Sequence, residues 1–482
     1  MKHPLTIVVF VWWLVMVTLL VRKQAPPPTT DLASLPASDD ASAGSGEEWF
    51  GVYQGPRKIG WAHRATTPIP AGYRVRDESM LVLAMLGTPQ QLTTSLSAET
   101  DASFGLRSFH FALVSPAATF TAHGTSNGRQ LDVRYGAGGR ESALELPLDE
   151  PIQLATTLRP RIAAARPPPG TRYRHTTFSP LTLHRETITT VVEGRETVDG
   201  IDTLRVVEEQ QGLRAHVWLD GDGRAVREEA MLGLVLRAEP HETALRDLDT
   251  DAPLEVTSAT RIPLHGGTIA SPRATAALTL LVSGPAARQV PDDPPRQRMD
   301  AGVLHIVREP APVPGASAAP PPEAGDLLPS PFIESDDPAI VARARAIAGE
   351  EEDPVRRAER ILAWIETSMT PEPSATVPSA REVLRVLRGD CNEHAVLLTA
   401  LARAAGVPAR MVAGAVYQDG AFLYHAWNEL WLGGRWVSAD AVFHQMPVDA
   451  THVKLIEGGP ERHLGLATVV GRLSFTTAEG GT

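Results

Sequence analysis

The sequence predicts an α+β protein with an N-terminal membrane helix, a β-rich region that forms an antiparallel sheet or half-barrel, and a C-terminal α+β domain. Three observations predict this class: an apolar run near the N-terminus, a long stretch of alternating polar and apolar residues, and a switch to helical periodicity followed by strands near the C-terminus. The 482 residues are too many for one compact core, so we expect two or three domains.

The run from Leu5 to Val21 predicts a membrane anchor. As a helix rising about 1.5 Å per residue it spans roughly 26 Å, close to the thickness of a bilayer core. A cleaved signal peptide is the alternative, but its apolar run would end in small residues, whereas Arg22 and Lys23 end this one. An uncleaved anchor is therefore favoured.

Changes in composition and periodicity divide the rest of the chain, and the clearest boundary is a second stretch rich in Pro and Ala. The predicted parts are a signal-anchor at 1–23, a flexible linker at 24–47, a β-rich domain at 48–246, a second β-rich segment at 247–308, a Pro/Ala linker at 309–327, an α+β domain at 328–460, and a C-terminal strand and tail at 461–482.

Turn signals place hairpins in the β-rich domain around Gly55-Pro56 and around Asp220–Gly223. The Pro-rich stretch 160–173 is predicted to be a loop between two β halves. In the α+β domain, helices are predicted to begin at Asp337-Pro338, at Asp353-Pro354, at Ser379 with Glu382 completing a capping box, and at Cys391. Strands follow, joined by turns at Asp419-Gly420 and Gly433-Gly434.

Composition excludes several classes of protein. The hydrophobic fraction of 43% can fill sizeable cores, so the chain is not a disordered protein. The formal net charge is -12 and no basic run occurs, which argues against a nucleic-acid partner. Cys391 is the sole cysteine, so the chain can form neither an intramolecular disulfide nor a cysteine-based metal cluster.

A cluster of acidic residues, Asp247, Asp249 and Asp251, resembles the start of a calcium loop. An EF-hand loop requires Gly at its sixth position and Glu at its twelfth, where this segment has Ala252 and Ser258. A solvated turn fits the segment better. We predict no metal and no cofactor.

Cys391 follows Gly389-Asp390 and opens a predicted helix. Unpaired N–H groups and the positive end of the dipole at a helix N-terminus stabilise a thiolate and can hold a developing oxyanion. A buried, inert cysteine is the alternative, but such a residue belongs on the apolar stripe in the middle of a helix. The position at the helix start therefore favours a reactive thiol.

The turn at Gly433-Gly434 brings a histidine and a carboxylate together. If it is a two-residue turn, Trp427 lies opposite Asp440, and His425 is a diagonal neighbour of Asp440 on the same face of the sheet. Diagonal neighbours lie within about 7–8 Å, which an imidazole and a carboxylate can bridge. His394 and His444 are alternative bases, and Asp440 could simply end a strand.

Two motifs, GDCNEHAVLLTALARAAGVPARMVAGAVY and YHAWNELWLGGRWVSADAVF, resemble the bacterial transglutaminase-like superfamily, which shares the papain-type catalytic arrangement. The resemblance implies a catalytic domain at 328–460 with Cys391 as the nucleophile, His425 as the general base and Asp440 as the residue that positions it. Family members often have Pro and Thr after this Asp, where the chain has Ala441 and Val442. The difference puts the local turn in doubt.

The resemblance also predicts location and activity. The stretch MPVDATHVKL is similar to exported bacterial members, so we expect a single-pass protein of the bacterial inner membrane with most of its chain in the periplasm. The implied reaction is acyl transfer from a peptide or protein substrate through a Cys391 thioester, ending in hydrolysis by a peptidase or deamidase. A crosslinking transglutaminase and a non-catalytic binding or scaffold protein are the alternatives. The oligomeric state is left open.

Two residues on the predicted face of His425 are candidates for substrate binding. Trp427 and Glu429 share that face and could line the acyl pocket. Packing within the sheet is an equally good interpretation of Trp427.

Overall fold

The computed structural model describes most of the chain, namely residues 29–31, 46–85, 88–116, 119–137, 141–210, 213–230, 233–249, 253–255, 260–315, 324–373, 379–463 and 466–478. Among these residues, no helix has the length and apolar character needed to cross a membrane. The predicted anchor at Leu5–Val21 lies outside the described residues, as do Asp251 and parts of the two predicted linkers.

The N-terminal half of the described chain forms one large, mostly antiparallel sheet, which we call the barrel-like sheet. Its strands are β1 Thr29–Asp31, β2 Gly46–Gln54, β3 Arg57–Ile69, β4 Gly72–Met85, β5 Thr88–Thr100, β6 Leu106–Val114, β7 Thr119–Ser126, β8 Gln130–Ala137, β9 Ser142–Pro147, β10 Arg172–Ser179, β11 His184–Val198, β12 Ile201–Gln210, β13 Leu213–Leu219, β14 Ala225–Glu229, β15 Leu234–Ala238 and β16 Leu254–Glu255. Both predicted hairpins are present, as β2–β3 and β13–β14.

The barrel-like sheet runs in the order β1-β10-β11-β12-β13-β14-β15-β2-β3-β4-β5-β6-β7-β8-β9, and β16 pairs with β4. Strands far apart in this order approach each other, as the 5.4 Å between the ring centroids of Phe109 in β6 and Phe178 in β10 shows. The segment before residue 155 closes the remaining gap: Leu106 donates to Ile152 O, and Gln153 donates to Thr176 O. The sheet is therefore nearly closed.

Helix α1, Ala155–Ala165, lies where the sequence predicted a loop, so that part of the prediction was wrong. The helix buries Leu158 and Ile162 in the same hydrophobic core as Phe50 and Val52 of β2. Its tertiary packing stabilises a segment whose Pro160 disfavours a helix, and the Pro-rich run follows only after Ala165.

A second sheet holds the rest of the strands. They are β17 Ile262–His265, β18 Ala277–Ser283, β19 Gln297–Asp300, β20 Val303–Val307, β23 Ala409–Gln418, β24 Ala421–Leu432, β25 Arg435–Ala439, β26 His452–Glu457 and β27 Ser474–Thr477, while β21 Thr370–Pro371 and β22 Arg388–Gly389 form a separate pair. The order is β19-β20-β18-β27-β17-β24-β23-β26, with β25 on β24. The predicted segment 247–308 and the C-terminal tail thus contribute strands to the sheet of the α+β domain.

The helix that begins at Cys391 packs against β23 and β24 of the second sheet, whereas the short helix His241–Ala244 packs against β2 of the barrel-like sheet. The helices after α1 are α2 His241–Ala244, α3 Pro338–Ala348, α4 Pro354–Ser368, α5 Ala380–Val386, α6 Cys391–Ala404, α7 Pro460–His463 and α8 Ala467–Val470, and short 3-10 turns cover Pro272–Ala274, Ala287–Gln289 and Ala324–Leu327. Asp337 and Asp353 cap α3 and α4 as predicted. The capping box predicted at Ser379 does not form, because the Ser379 hydroxyl donates to Glu334 instead.

Candidate active site

The tip of α6 carries Cys391 as its first residue. Asp390 precedes it as the N-cap and accepts from Asn392 N at 2.9 Å, while the Glu393 side chain accepts from Asp390 N at 2.9 Å. This capping box fixes the start of the helix. Among the residues that the structure describes, no group accepts a hydrogen bond from the Cys391 N–H. The tip therefore presents one free donor beside the thiol.

Helix α6 is locked onto β24 by a buried amide. Asn428 is fully buried and donates from Nδ2 to Ala395 O at 2.9 Å and to Thr399 Oγ1 at 2.7 Å. Because buried amide groups must be hydrogen-bonded, these bonds fix the position of the helix along the strand. They bring the Cys391 end of α6 beside Ala426 of β24, the residue that follows His425.

The predicted register between β24 and β25 is confirmed. Leu432 pairs with Arg435, and the ladder continues to the pair Asn428 and Ala439. It stops there, because Asp440 exchanges backbone hydrogen bonds with Gln445 instead. The imidazole and the carboxylate meet as this register requires.

His425 Nε2 lies 2.7 Å from Asp440 Oδ2, and both side chains are buried. The other carboxylate oxygen, Oδ1, accepts from Val442 N at 2.7 Å and from Phe443 N at 3.2 Å. The turn after Asp440 is thus well formed although Ala441 and Val442 depart from the family pattern. Burial of Asp440 raises its pKa, but the charge and hydrogen bonds of His425 and His452 outweigh burial and hold the pKa well below its usual range. The carboxylate is ionised.

Cys391 is half-buried, and its sulfur accepts a hydrogen bond from the Ala426 N–H. Burial, followed by the nearby charge of Asp390, raises the pKa of the thiol well above its ordinary value, and the hydrogen bond only partly opposes this. Both effects disfavour the thiolate that the position at the helix tip predicted, so a stabilised thiolate stays a prediction. No hydrogen bond joins Cys391 to His425 in the described part of the chain.

The two rival histidines have other partners. His394 is buried and its Nδ1 lies 2.7 Å from Asp390 O, within its own helix. His444 is partly exposed, and its Nε2 lies 3.0 Å from Glu366 Oε2. Of the three candidate bases, His425 is the one hydrogen-bonded to Asp440.

Trp427 and Glu429, predicted to line an acyl pocket, are both buried in the structure. Trp427 is 1% exposed and packs against Val412 and Val448. Glu429 is buried and accepts from Lys454 Nζ at 2.8 and 3.0 Å. Arg410 donates to Glu429 as well, at 2.7 Å. A role of either residue in substrate binding stays a prediction.

A second histidine, which the sequence patterns did not indicate, lies in this site. His452 begins β26, is 0% exposed, and places Nε2 3.0 Å from Asp440 Oδ2. Its Nδ1 lies 3.4 Å from Asp449 Oδ1. The stretch MPVDATHVKL contains His452, but only the pairing of β26 with β23, which no local pattern shows, places the side chain behind Asp440.

His425, Asp440 and His452 have ligand atoms close enough together to hold a metal ion. Each imidazole, however, lies at hydrogen-bond distance from the same carboxylate oxygen. Asp440 Oδ2 thus pairs with both imidazoles, and this hydrogen-bond arrangement accounts for the geometry of the three side chains.

With this geometry in place, comparison with known families identifies the domain. Residues 341–441 match the family model of the transglutaminase-like superfamily. The C-terminal part of the chain therefore contains a transglutaminase-like domain, as its motifs indicated. The match includes Cys391, His425 and Asp440.

Several solved structures resemble parts of the chain. A β-barrel-like protein of unknown function from Brucella abortus is 13% identical, covering 40% of this chain and 94% of its own, with a TM-score of 0.32. A candidate cysteine protease from Cytophaga hutchinsonii is 18% identical, covering 43% of this chain and 82% of its own, with a TM-score of 0.28. The periplasmic domain of TgpA from Pseudomonas aeruginosa, bound to ethylmercury, is 20% identical, covering 35% of this chain and 66% of its own, with a TM-score of 0.23. No curated protein matches the chain.

Proposed function

We propose that the transglutaminase-like domain is a cysteine enzyme that cleaves amide bonds by acyl transfer through a Cys391 thioester. The observation that supports this most directly is the buried hydrogen bond of 2.7 Å between His425 and Asp440. The residue after His425, Ala426, lies beside the Cys391 sulfur at the helix tip. A nucleophile, a base and a residue that orients the base are the three parts that covalent acyl transfer requires.

The ionised Asp440 decides which nitrogen of His425 carries the proton. Because Asp440 Oδ2 accepts from Nε2, that nitrogen holds the hydrogen, and Nδ1 of the neutral ring has a free lone pair. Nδ1 is therefore the atom that takes the proton from the Cys391 thiol. The base is required because the raised pKa of Cys391 keeps the thiol protonated near neutral pH.

The reaction has two halves. In the first, Sγ of Cys391 bonds to the carbonyl carbon, the thiol proton passes to His425, and the departing amine takes that proton as the C–N bond breaks. In the second, His425 takes a proton from water, the hydroxide attacks the thioester, and the thiol is regenerated with a carboxylic acid as product. The free Cys391 N–H can stabilise the oxyanion formed in each half.

The rate of Cys391 alkylation by iodoacetamide tests this proposal. We expect His425→Ala to lower the rate by about a hundredfold or more, because the protonated thiol loses its base. His444→Ala is the matched control, since His444 pairs with Glu366 outside the site. Equal rates for wild type and His425→Ala would contradict a Cys–His pair.

Product analysis separates hydrolysis from amine transfer. A library of glutamine-containing peptides would be incubated with the protein, with and without a labelled primary amine. We expect free acids and no amine incorporation. Labelled peptides would instead support a crosslinking transglutaminase, and His425-independent binding of peptides without turnover would support a binding protein.

We also propose that the protein is held in the bacterial inner membrane by its N-terminal helix, with most of the chain in the periplasm. The length of the apolar run from Leu5 to Val21 supports an anchor, and the stretch 446–455 supports export. Replacing Val11 and Leu14 with Arg should release the protein from the membrane fraction, because charged residues at the centre of a span are costly. A wild-type protein recovered in the soluble fraction would overturn this proposal.

A further inference from the structure

We propose that His452 is a positioning residue, which holds the Asp440 carboxylate in the orientation that His425 needs. This inference rests on the proposed function, since it assigns a role within the same site. It concerns a residue that never touches the substrate and acts only through Asp440.

The geometry around Asp440 motivates the inference. Oδ2 lies 2.7 Å from His425 Nε2 and 3.0 Å from His452 Nε2, so one oxygen accepts from two histidines. Oδ1 accepts from two backbone N–H groups of the turn that follows. A carboxylate with four donors in four directions has no freedom to rotate. Removing His452 would leave Asp440 Oδ2 with a single hydrogen bond, the one from His425.

His452 lies between two carboxylates. Its Nδ1 lies 3.4 Å from Asp449 Oδ1. Burial raises the pKa of Asp449, but the neighbouring His452, Thr451 and Arg273 outweigh it and lower the pKa to about 2. Arg273 then pairs with the other oxygen of Asp449 at 3.1 Å. The side chains form a continuous line from Arg273 through Asp449, His452 and Asp440 to His425.

Two side chains at the start of β19 hydrogen-bond to the backbone of residues 449–454 and fix it in place. Arg296 is buried and donates from Nη2 to Asp449 O at 2.8 Å and to His452 O at 2.9 Å. Gln297, next to it, donates to Lys454 O at 2.8 Å and accepts from Lys454 N at 2.9 Å. Arg296 and Gln297, which precede the transglutaminase-like domain in the chain, thus fix the backbone around His452, and His452 in turn orients Asp440. Such supporting contacts are how enzymes orient a catalytic side chain.

Two polar substitutions that differ by one methylene group provide the test. The amide nitrogen of His452→Gln can reach the position of Nε2 and donate to Asp440, whereas the shorter His452→Asn stays near Asp449 and cannot. We expect His452→Asn to slow iodoacetamide alkylation of Cys391 by about tenfold to a hundredfold, as losses of residues that orient a catalytic ligand do. We expect His452→Gln to restore most of the rate.

The control is His175→Asn, which removes a buried histidine from β10 of the barrel-like sheet. Melting temperatures of all variants show whether the fold is intact. The positioning role would be overturned if the alkylation rates of the variants fell in proportion to their melting temperatures. Equal rates for His452→Gln and His452→Asn would also overturn it. Equal rates for wild type and His425→Ala would overturn the proposed function itself.

Discussion

The barrel-like sheet and the second sheet each bury a cluster of charged or titratable side chains, yet the two clusters differ in what they can do. In the barrel-like sheet, Arg159 of α1 donates to both oxygens of Glu208 at 2.9 Å and to Glu228 at 2.6 Å. Arg64 donates to Glu228 as well. In the second sheet, Asp440 lies between His425 and His452. The half-buried Cys391 lies beside Ala426, the residue after His425.

Burial and shifted pKa values occur in both clusters. Burial of Glu228 is outweighed by the charges of Arg159 and Arg64, which lower its pKa to about 2, and the pKa of Asp440 is lowered in the same way by His425 and His452. The difference is that the arginines cannot act as bases, whereas the second cluster includes a basic nitrogen and has a thiol nearby. A shifted pKa therefore marks a candidate site only when a reactive atom lies beside it.

Removing the nucleophile should give the largest effect and sharpen this contrast. We expect Cys391→Ala to abolish amide cleavage, with a loss of about 10⁴-fold or more, because the covalent step is impossible. The melting temperature should change little, since Cys391 lies at a helix tip and is half-buried. Turnover of peptide amides and calorimetry would measure the two quantities. Full activity without Cys391 would mean that the site is elsewhere.

Truncation tests whether the second sheet is one unit. A chain beginning at residue 328 lacks β17 to β20 and exposes the surface against which Leu280 and Ile306 pack, so we expect an insoluble or unfolded product. A chain beginning at residue 260 retains these strands and should fold. Circular dichroism and cooperative melting would distinguish the two. A folded, active 328–482 fragment would show that the earlier strands are dispensable.

A substitution in the charged cluster of the barrel-like sheet should change stability and leave the reactivity of Cys391 unchanged, which is the opposite of the effect expected for the active site. We expect Glu228→Gln to lower the free energy of unfolding of this region by about 3–5 kcal/mol, because Arg64 and Arg159 lose a buried counter-charge. The rate of Cys391 alkylation per folded molecule should stay unchanged. Chemical denaturation and labelling kinetics on one sample would measure both. A large change in rate would indicate that the two regions are coupled.

Local sequence patterns were enough to predict the parts of the fold that depend on neighbours in the chain. The two-residue turn at Gly433-Gly434 fixed the register that brings His425 to Asp440. Asp-Pro pairs marked the starts of α3 and α4 because the aspartate side chain caps the helix and proline suits its first turn.

Features that depend on residues far apart in the chain could not be predicted from local sequence patterns. Strand β27 pairs with β18 and β17, about two hundred residues earlier, and no local periodicity specifies such a pairing. The raised pKa of Cys391 and the position of His452 behind Asp440 depend on tertiary burial in the same way. Ser379 shows how a tertiary contact overrides a local pattern. Its sequence context suits a capping box, but its hydroxyl donates a hydrogen bond to the buried carboxylate of Glu334 instead.

The smallest expected effect is the pH dependence of the barrel-like cluster. The pKa of Glu228 is lowered from 4.5 to about 2 in the folded state, so its stabilising contribution is present above pH 4.5 and is lost as the pH falls through about 2. A difference of this size corresponds to about 3 kcal/mol. The stability difference between wild type and Glu228→Gln should therefore shrink as the pH falls from 5 towards 2. Denaturant unfolding at a series of pH values measures this, and a constant difference would show that the ion pair with Arg64 and Arg159 does not control the ionisation of Glu228.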